Sequence, residues 1–378
     1  MFENTGTGGG EVGGSGLETV AAGLPPLSGI EETDDGYELT FGEPEKTVSP
    51  EAYDHYENIA ETAEDSELLS IAEEVIEGFD ADIASRADWE TTLVRGLDLL
   101  GMRLDEGSQP FVGACMAMHP LIMENCVKFA AKAIAEIFPA GGPVKTQLIG
   151  LQTPELILSA GRVKEYMNFQ LTEEMEEYFD EVERMLIYLA YAGMAMKKVY
   201  FDAGEERPTC EFVKATDFVI SNYAVNLKNA QRYSHRMFKS KIDMDRDVRN
   251  GVYVDIDLGE PVAPKRSDFD EKMDRRMGVN QNQKPDRTPG YTVIEQHCYL
   301  ADIFGVDGAP APYIVTVAYE ARKVLAIRRN WKESDEKLKK LIWFVKYSYV
   351  PSDGFYSWES WWMRASSPTC KVASSSKV

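Results

Sequence analysis

The sequence predicts an α+β protein in which helices come first, strands follow, and an acidic leader precedes both. Between about residues 67 and 200, apolar residues recur at three- and four-residue spacings, the period of a helix buried on one face. Between 201 and 356 they form short β-branched and aromatic runs separated by Gly, Pro, Asn and Asp. Because the two patterns are segregated along the chain, alternating β-α-β units are disfavoured.

The negative charge is concentrated at the N-terminus. The 378 residues include 63 acidic and 40 basic side chains, a net charge of −23, and residues 1–110 alone hold 27 of the acidic and four of the basic ones. Residues 1–16 contain seven glycines, so we predict that 1–66 is a largely disordered leader with short strand or helix starts, such as Ser49-Pro50-Glu51. The remainder is neutral, which disfavours a basic, groove-filling nucleic-acid binder.

Helices are predicted from apolar spacing and from end signals. Thr153-Pro154 is typical of an N-cap followed by Pro at the first helical position, and Pro139–Pro143 is typical of a helix stop. The predicted helices are Leu68 to Phe79, Ala87 to Leu100, Pro120 to Phe138, a start at Thr153, and a long tract from about Arg162 to Lys198 broken near Leu171-Thr172.

The second half of the long tract is predicted to be amphipathic and then buried. Its apolar side comprises Met175, Tyr178, Phe179, Val182, Met185, Leu186 and Leu189. Past Leu186 the tract is apolar all round, which predicts full burial. The longest uncharged apolar stretch, Met185–Met196, falls short of the roughly 20 residues that cross a bilayer, so a membrane span is disfavoured.

Eight strands are predicted after this tract, and residues 258–290 are predicted to form a long exposed loop because they are charged and poor in apolar residues. The predicted strands are Val199–Phe201, Cys210–Val213, Phe218–Ile220, Tyr233–Met237, Tyr291–Tyr299, Tyr313–Ala318, Val324–Ile327 and Ile342–Tyr349.

No motif in the sequence identifies a catalytic, cofactor or metal site. The N-terminal glycines (Gly6, Gly8, Gly9, Gly10) lack the preceding strand and the Gly-Lys-Ser/Thr end of a phosphate loop. Asp243, Asp245 and Asp247 alternate as in a calcium loop, but Val248 and Val254 stand where that loop needs Gly and Glu, which favours a solvated turn or a helix start. From the residues alone we therefore predict an acidic α+β protein without an evident active site or cofactor site.

The histidines and cysteines agree with this prediction. The four histidines (His55, His119, His235, His297) lie far apart, and none has a second ligand at metal-binding spacing. The five cysteines (Cys115, Cys126, Cys210, Cys298, Cys370) are scattered and odd in number, which favours reduced thiols.

Several stretches, in order, resemble tailed-bacteriophage portal proteins of the large podovirus-like type. The resemblance covers about residues 67–356, and no single stretch is a chemical signature. The stretches that carry it are Gly113-Ala114-Cys115, His119–Glu124, Phe138–Thr146, Met167–Met175, Ala192–Asp202, Phe212–Phe218, and Lys346–Pro351 with Gly354-Phe355-Tyr356.

This resemblance implies a structural subunit of a portal ring, or head-to-tail connector, at one vertex of the virion. It also implies that the protein is not an enzyme and binds no cofactor. Such rings are typically dodecamers that surround the channel for double-stranded DNA, without sequence specificity, and that contact capsid protein, terminase, and tail or adaptor proteins. Residues 67–200 would be the helical wing region and 201–356 the β-rich wing region. Before assembly the chain would be in the host cytoplasm, and no membrane is implied.

Two alternatives remain open from the sequence. One is a metal-dependent nuclease or phosphoesterase that uses Asp243, Asp245, Asp255 and Asp257 with two metal ions. The other is an acidic scaffold or adaptor whose first 110 residues bind a basic partner, because blocks of like charge are often interaction tails.

The last residues, 357–378, depart from the resemblance. Portal chains of this type are longer and continue into stem, clip and crown, whereas this sequence turns to Ser357-Trp358-Glu359 and a Ser-rich end. Translation in a shifted codon frame from Trp362 onward can give a sequence that resembles a later part of portal chains of this type. We interpret the chain as a truncated portal subunit whose tail is out of frame, which resequencing of the gene tests.

We expect that this chain alone does not close a full ring, because stem and clip contacts would be absent. Mass photometry of the purified protein is the measurement, and stable dodecamers would contradict the expectation.

Overall fold

The computed structural model of the chain describes residues 27–33, 36–41, 55–100, 121–150, 153–202, 206–262, 289–300, 310–350 and 354–356. The chain divides into two units, Met1–Glu57 and Asn58–Val378. In the first, β1 (Leu27–Thr33) and β2 (Gly36–Phe41) form an antiparallel hairpin. This hairpin falls in the segment for which the sequence predicts a largely disordered leader with short strand starts.

Six α-helices are described in the second unit. Thr153 caps the fourth by accepting a hydrogen bond from Leu156 N, and Ser240 and Asp243 close a capping box at the sixth. A short 3₁₀ turn (Ile59–Glu61) precedes the first, and a π-helical turn (Gln170–Glu174) follows the fourth. The helices are α1 (Asp65–Ser85), α2 (Ala87–Leu100), α3 (Leu121–Ile137), α4 (Pro154–Phe169), α5 (Tyr178–Ala192) and α6 (Lys241–Arg249).

The strands of the second unit form two antiparallel sheets. The smaller has the order β10-β3-β4 and the larger the order β5-β6-β7-β8-β9, so the last strand of the described chain returns to pair beside β3. The strands are β3 (Met194–Asp202), β4 (Arg207–Val213), β5 (Phe218–Ile220), β6 (Tyr233–Ser240), β7 (Gly290–Leu300), β8 (Ala311–Ala318), β9 (Lys323–Arg329) and β10 (Phe344–Ser348). The structure is therefore mixed α+β.

The second unit is layered around the larger sheet. One face of that sheet packs against α1, where Val75 and Phe79 meet Ile294 and Val315 in a buried apolar cluster. The opposite face meets α6 at one end, through Met244, and the smaller sheet at the other. Helices α2, α3 and α5 cover the far side of the smaller sheet, and the largest apolar cluster lies there.

The helices and strands predicted for the described residues are present, but α1 continues to Ser85, six residues beyond the predicted Phe79, and the boundary after α5 is wrong. The sequence predicts helix up to Lys198, but α5 ends at Ala192 and Met194–Lys198 belong to β3. Gly193 adopts φ 81°, a left-handed conformation that ends the helix, and the residues beyond it pair with β4 and β10 on both sides.

Burial along α5 also departs from the prediction at two positions. Met175, Val182, Met185, Leu186 and Leu189 are buried, but Phe179 is 44% exposed and Ile187 is 40% exposed. The helix is covered by β3 and β4 on one side and α3 on another, so a strip remains open to solvent.

Some predictions lie outside the described residues. These are the cap at Ser49, the entry at His119-Pro120, the glycines before residue 17, most of the loop 258–290, and the tail 357–378. Within the described ranges, no helix combines the length and the apolar content that crossing a bilayer requires.

Candidate functional site

The strongest cluster of buried ionisable groups lies between the two sheets. Glu295, on the central strand of the larger sheet, accepts a hydrogen bond from Lys198 of β3 at 2.7 Å from Oε2. Its other oxygen, Oε1, lies 3.1 Å from Nε2 of His297, two residues along the same strand. Both carboxylate oxygens are thus paired, one of them across the interface between the sheets.

A neutral hydrogen-bond chain continues from His297. Its Nδ1 lies 3.4 Å from Nδ2 of Asn330, and Asn330 Oδ1 accepts a hydrogen bond from Trp343 Nε1 at 2.9 Å. A histidine that donates through Nε2 to the carboxylate must accept at Nδ1, which matches the amide donor of Asn330. Asn330 is fully buried, and its backbone bonds to Pro312 and Leu341 complete the connection between β8 and the chain before β10.

Burial and charge set the protonation of this cluster. Burial alone favours the neutral acid, but the Lys198 ammonium and the hydrogen bond with His297 hold the pKa of Glu295 well below its ordinary value. Burial lowers the pKa of His297 despite its carboxylate partner. At neutral pH the network therefore holds one ion pair and a neutral imidazole.

A second buried histidine lies beside the network. His235 on β6 is paired with Glu295 in the sheet register, and neither its Nδ1 nor the hydroxyl of neighbouring Tyr233 has a hydrogen-bond partner among the residues that the structure describes. Burial lowers the pKa of His235 to about 3, and the charge of Lys198 acts in the same direction. The Tyr233 ring stacks on His297 at 4.7 Å, and Phe344 of β10 closes the cluster edge-on.

The geometry of this network suits a structural clamp. His297 is 1% exposed, while Lys198 and Glu295 are 13% and 15% exposed. Each carboxylate oxygen of Glu295 has a protein partner, and its lowered pKa makes the carboxylate a weak base. What the arrangement does is fix the smaller sheet on the larger one and respond to acid.

Arg86, at the junction of α1 and α2, forms the second buried polar centre. Its guanidinium donates to the carbonyl oxygens of Ala215 at 3.3 Å, Thr216 at 2.7 Å and Phe218 at 2.8 Å, and pairs with Glu90 at 2.8 Å. The side chain is 2% exposed. Tyr356, whose ring lies 4.8 Å from that of Trp89, donates to Ile220 O at 3.0 Å on the other side of the same loop.

A surface cleft of about 370 Å³ lies on the α1 side of the larger sheet. Its lining includes Glu74, Arg232 and Gln296. Arg232 forms a two-point ion pair with Asp82, and the Gln296 amide donates to Val75 O and Ser234 Oγ. These two polar side chains are therefore occupied within the protein and are not directed at a ligand.

Three of the five aspartates singled out in the sequence have local structural roles. Asp243 caps α6, and Asp247 on the same helix pairs with Lys239. Asp257 accepts a hydrogen bond from Gly259 N, while Asp245 and Asp255 are exposed. Among the described residues no three His, Cys, Asp or Glu side chains come together as metal ligands.

The remaining candidates lie at the network, in the core or at the start of the described range 55–100. His297 belongs to the network and His235 lies beside it, a proximity that their separation in sequence did not reveal, while the His55 ring meets that of Tyr56 edge-on at 5.0 Å. Cys126, Cys210 and Cys298 are buried free thiols, whereas Cys115, Cys370 and His119 lie outside the described residues.

Sequence reasoning missed Arg86, Lys198 and Glu295. A usable signal existed for two of them. Arg86 is one of four basic residues in the first 110, and it lies between two apolar helix faces. Within Tyr291–Leu300 the only ionisable side chains near neutral pH are Glu295 and His297. A charge such as that of Glu295 in a buried strand needs a partner.

Comparison with known proteins adds no relative. The sequence matches no protein-family model, and no curated protein is significantly similar to it.

Replacing His235 by Gln should reduce the loss of stability in acid. In the unfolded chain this residue becomes protonated as the pH falls below its ordinary pKa of 6.5. In the folded protein its pKa is about 3, so it stays neutral down to about that pH. The free energy of unfolding therefore falls as the pH falls through this window, by about 1.5 kcal/mol between pH 6.5 and 5 for this residue. Urea denaturation at several pH values measures the difference, and His297 contributes with the same sign.

A matched control is Val293→Ala, because Val293 lies on β7, on the same face of the larger sheet as His235. It should lower the free energy of unfolding by a similar amount at every pH, because it removes apolar contacts only. Identical pH dependence in the wild type and in His235→Gln would show that the prediction is wrong.

Replacing Arg86 by Ala should destabilise the protein by about 3–5 kcal/mol, because Glu90 and three carbonyls lose their buried donor. Arg184→Ala is the control, since Arg184 pairs with Glu181 on an exposed part of α5 and should change stability by roughly 0–1 kcal/mol. Urea denaturation at neutral pH gives both values. Equal small losses in the two variants would contradict the assigned role of Arg86.

Proposed function

We propose that this protein is a structural subunit of a tailed-bacteriophage portal, the head-to-tail connector through which double-stranded DNA is packaged and ejected. In this proposal the chain associates with copies of itself in a ring at one capsid vertex. Its partners are capsid protein, terminase, and tail or adaptor proteins. The helices α1–α5 and the two sheets would form the wing, the part of such a subunit that surrounds the channel wall.

The observation that carries the proposal is that the portal-like stretches contact one another in the fold. Tyr349 N donates to Gly193 O at 2.9 Å, which joins the stretch 346–351 to the stretch 192–202. The Tyr356 hydroxyl accepts a hydrogen bond from Ile220 N and donates one to Ile220 O, next to the stretch 212–218. Residues of all three stretches lie in the largest apolar cluster.

A second group of stretches meets at Asn168. Its side chain accepts a hydrogen bond from Val144 N at 2.9 Å and donates to Val144 O at 3.4 Å, which joins the stretch 138–146 to the stretch 167–175. Gly142 adopts φ 87°, and a β-carbon there would lie 2.6 Å from the Asn168 side chain. The stretches that carry the resemblance therefore contact one another, and these contacts are what supports the proposal.

The charge distribution is compatible with a conduit for DNA. Residues 111–378 hold equal numbers of acidic and basic side chains, 36 of each. A protein that grips DNA gains affinity from each phosphate that Lys or Arg neutralises, whereas a channel must let the duplex move.

Immunogold labelling of phage particles tests the proposal. Antibody raised against the purified chain should label one vertex of each particle, and quantitative mass spectrometry should find about a dozen copies, as a cyclic ring requires. Antibody against the major capsid protein is the control and should label the whole shell. A terminase gene beside the gene for this chain would add independent support.

Absence of the chain from purified particles would contradict the proposal. So would reproducible metal-dependent cleavage of plasmid DNA that Asp257→Asn abolishes and Asp335→Asn, a change in a different loop, does not. That second result would instead support the nuclease alternative.

A further inference from the structure

The face of the smaller sheet that α5 covers holds a buried lysine beside a buried cysteine. Lys197 of β3 is paired with Phe212 of β4, and Cys210 lies two residues from Phe212 on the same strand. Directly opposed residues of an antiparallel pair share a face, so Lys197 and Cys210 are diagonal neighbours on one face. Such neighbours lie about 7–8 Å apart, a distance that a long side chain spans. The sheet register therefore places the amine within reach of the thiol.

Both side chains are almost completely buried, and the amine has no hydrogen bond. Lys197 is 2% exposed and Cys210 is 6% exposed. The Lys197 Nζ atom has no hydrogen-bond partner among the described residues, and the centre of the Tyr178 ring on α5 lies 4.4 Å from it. Nearly all buried polar atoms in proteins are paired, so an unpaired Nζ in this position requires an explanation.

The carboxylate that acts on this amine is already paired. The two oxygens of Glu181 on α5 accept hydrogen bonds from Arg184 and from Phe212 N. Burial lowers the pKa of Lys197, although the Cys210 thiol and Glu181 act in the opposite direction. A larger share of the amine is therefore neutral near neutral pH than in water, and its nitrogen lone pair is then available.

The thiol is protonated, but a base adjoins it. Burial raises the pKa of Cys210, while Lys197 acts in the opposite direction. A buried thiol is ordinarily inert, because the thiolate is the nucleophile. Here a neutral amine is in position to accept the thiol proton, which is the role of a general base. Solvent is close, since Val199, the residue paired with Cys210, is 44% exposed.

The other buried thiols of the described chain lack such an amine. Lys340 acts on the charge of Cys298, but its Nζ donates a hydrogen bond to Ala230 O at 2.8 Å. Burial alone raises the pKa of Cys126. Among the thiols that the structure describes, Cys210 alone has beside it a buried amine without a hydrogen-bond partner.

We infer that Cys210 and Lys197 form an oxidation-sensitive pair, in which hydrogen peroxide oxidises the thiol and the lysine nitrogen then bonds to the sulfur. The product is a sulfenamide, the bond that a cysteine sulfenic acid forms when it condenses with a nitrogen. It ties β4, an edge strand of the smaller sheet, to the central strand β3. The bridge lies within one chain and does not depend on the proposed ring.

The reaction balances with one molecule of hydrogen peroxide. Lys197 takes the thiol proton, and the thiolate sulfur attacks one peroxide oxygen. The O–O bond breaks, and the departing hydroxide takes the proton from the ammonium, which leaves a sulfenic acid and one water. The lysine nitrogen attacks the sulfur, the S–O bond breaks, and the second hydroxide takes a proton from the nitrogen. Sulfur loses two electrons, and the peroxide becomes two waters.

Peptide mapping after peroxide treatment tests the pair. The full chain is treated with hydrogen peroxide near neutral pH, the remaining thiols are blocked, and a tryptic digest is analysed by mass spectrometry without reductant. The wild type should give a peptide that joins Lys197 to Cys210 and is lighter than its two parts by about two mass units, the two hydrogens lost. Dithiothreitol should separate the two parts.

Two variants and a matched control identify the groups that react. Lys197→Met keeps a long apolar side chain in the buried position and removes the amine, so the joined peptide should fall by about tenfold or more. Cys210→Ala should abolish it. Lys132→Met, at an exposed lysine of α3, is the control and should give the wild-type yield. Circular dichroism establishes that each variant is folded.

Urea denaturation gives an independent measurement. Peroxide treatment should raise the urea midpoint of the wild type, because a cross-link restricts the unfolded chain, and should not raise that of Lys197→Met. Three results would overturn the inference. They are a wild type without the joined peptide, a bridge that persists in Lys197→Met, and attachment of Cys210 to a different lysine.

Discussion

The relative position of the two sheets depends on a single buried carboxylate. Glu295 lies on the central strand of the larger sheet, and its charge is balanced by Lys198 on the central strand of the smaller one. Burying an unpaired carboxylate is so unfavourable that any sliding of one sheet over the other, which would separate the pair, is opposed. Apolar contacts around the pair supply the attraction, and the charges specify the register.

Arg86 performs a similar task between the helices and the strands. Its guanidinium donates to the carbonyls of Ala215 and Thr216, in the loop between β4 and β5, and to that of Phe218 at the start of β5, so buried backbone acceptors are paired there. The same side chain lies near the rings of Trp89 and Tyr356, so α2 and the last described residues meet at one point. Both polar centres therefore act on assembly of the fold, which suits a protein whose proposed role is mechanical.

Much of the fold could be predicted because its elements carry local signals. Thr153-Pro154 marks the start of α4, and alternating β-branched residues mark β7 and β8. The end of α5 could not be predicted, because the apolar run continues through Met196 and only the left-handed Gly193 separates helix from strand. Phe179 shows the same limit, since periodicity identifies an apolar face without saying how much of it a neighbour covers.

The candidate site was much less predictable than the fold. Lys198, Glu295 and Asn330 are brought together by sheet register and by the packing of one sheet on another, and neither is encoded in local spacing. Among 63 acidic residues, nothing but its position inside an apolar strand distinguishes Glu295. The histidines could be located on strands, but their common neighbour could not.

The π-helical turn between α4 and α5 sets the rotational phase of α4. Each residue of a regular helix advances the chain by about 100° around the axis, and a π turn takes in one residue more per turn than an α turn. Met175 N bonds to Gln170 O across this wide turn. Loss of one residue there would rotate the whole of α4 by more than a quarter of a revolution about its axis. The direction in which its exposed face points is therefore determined by residues that are not part of that face.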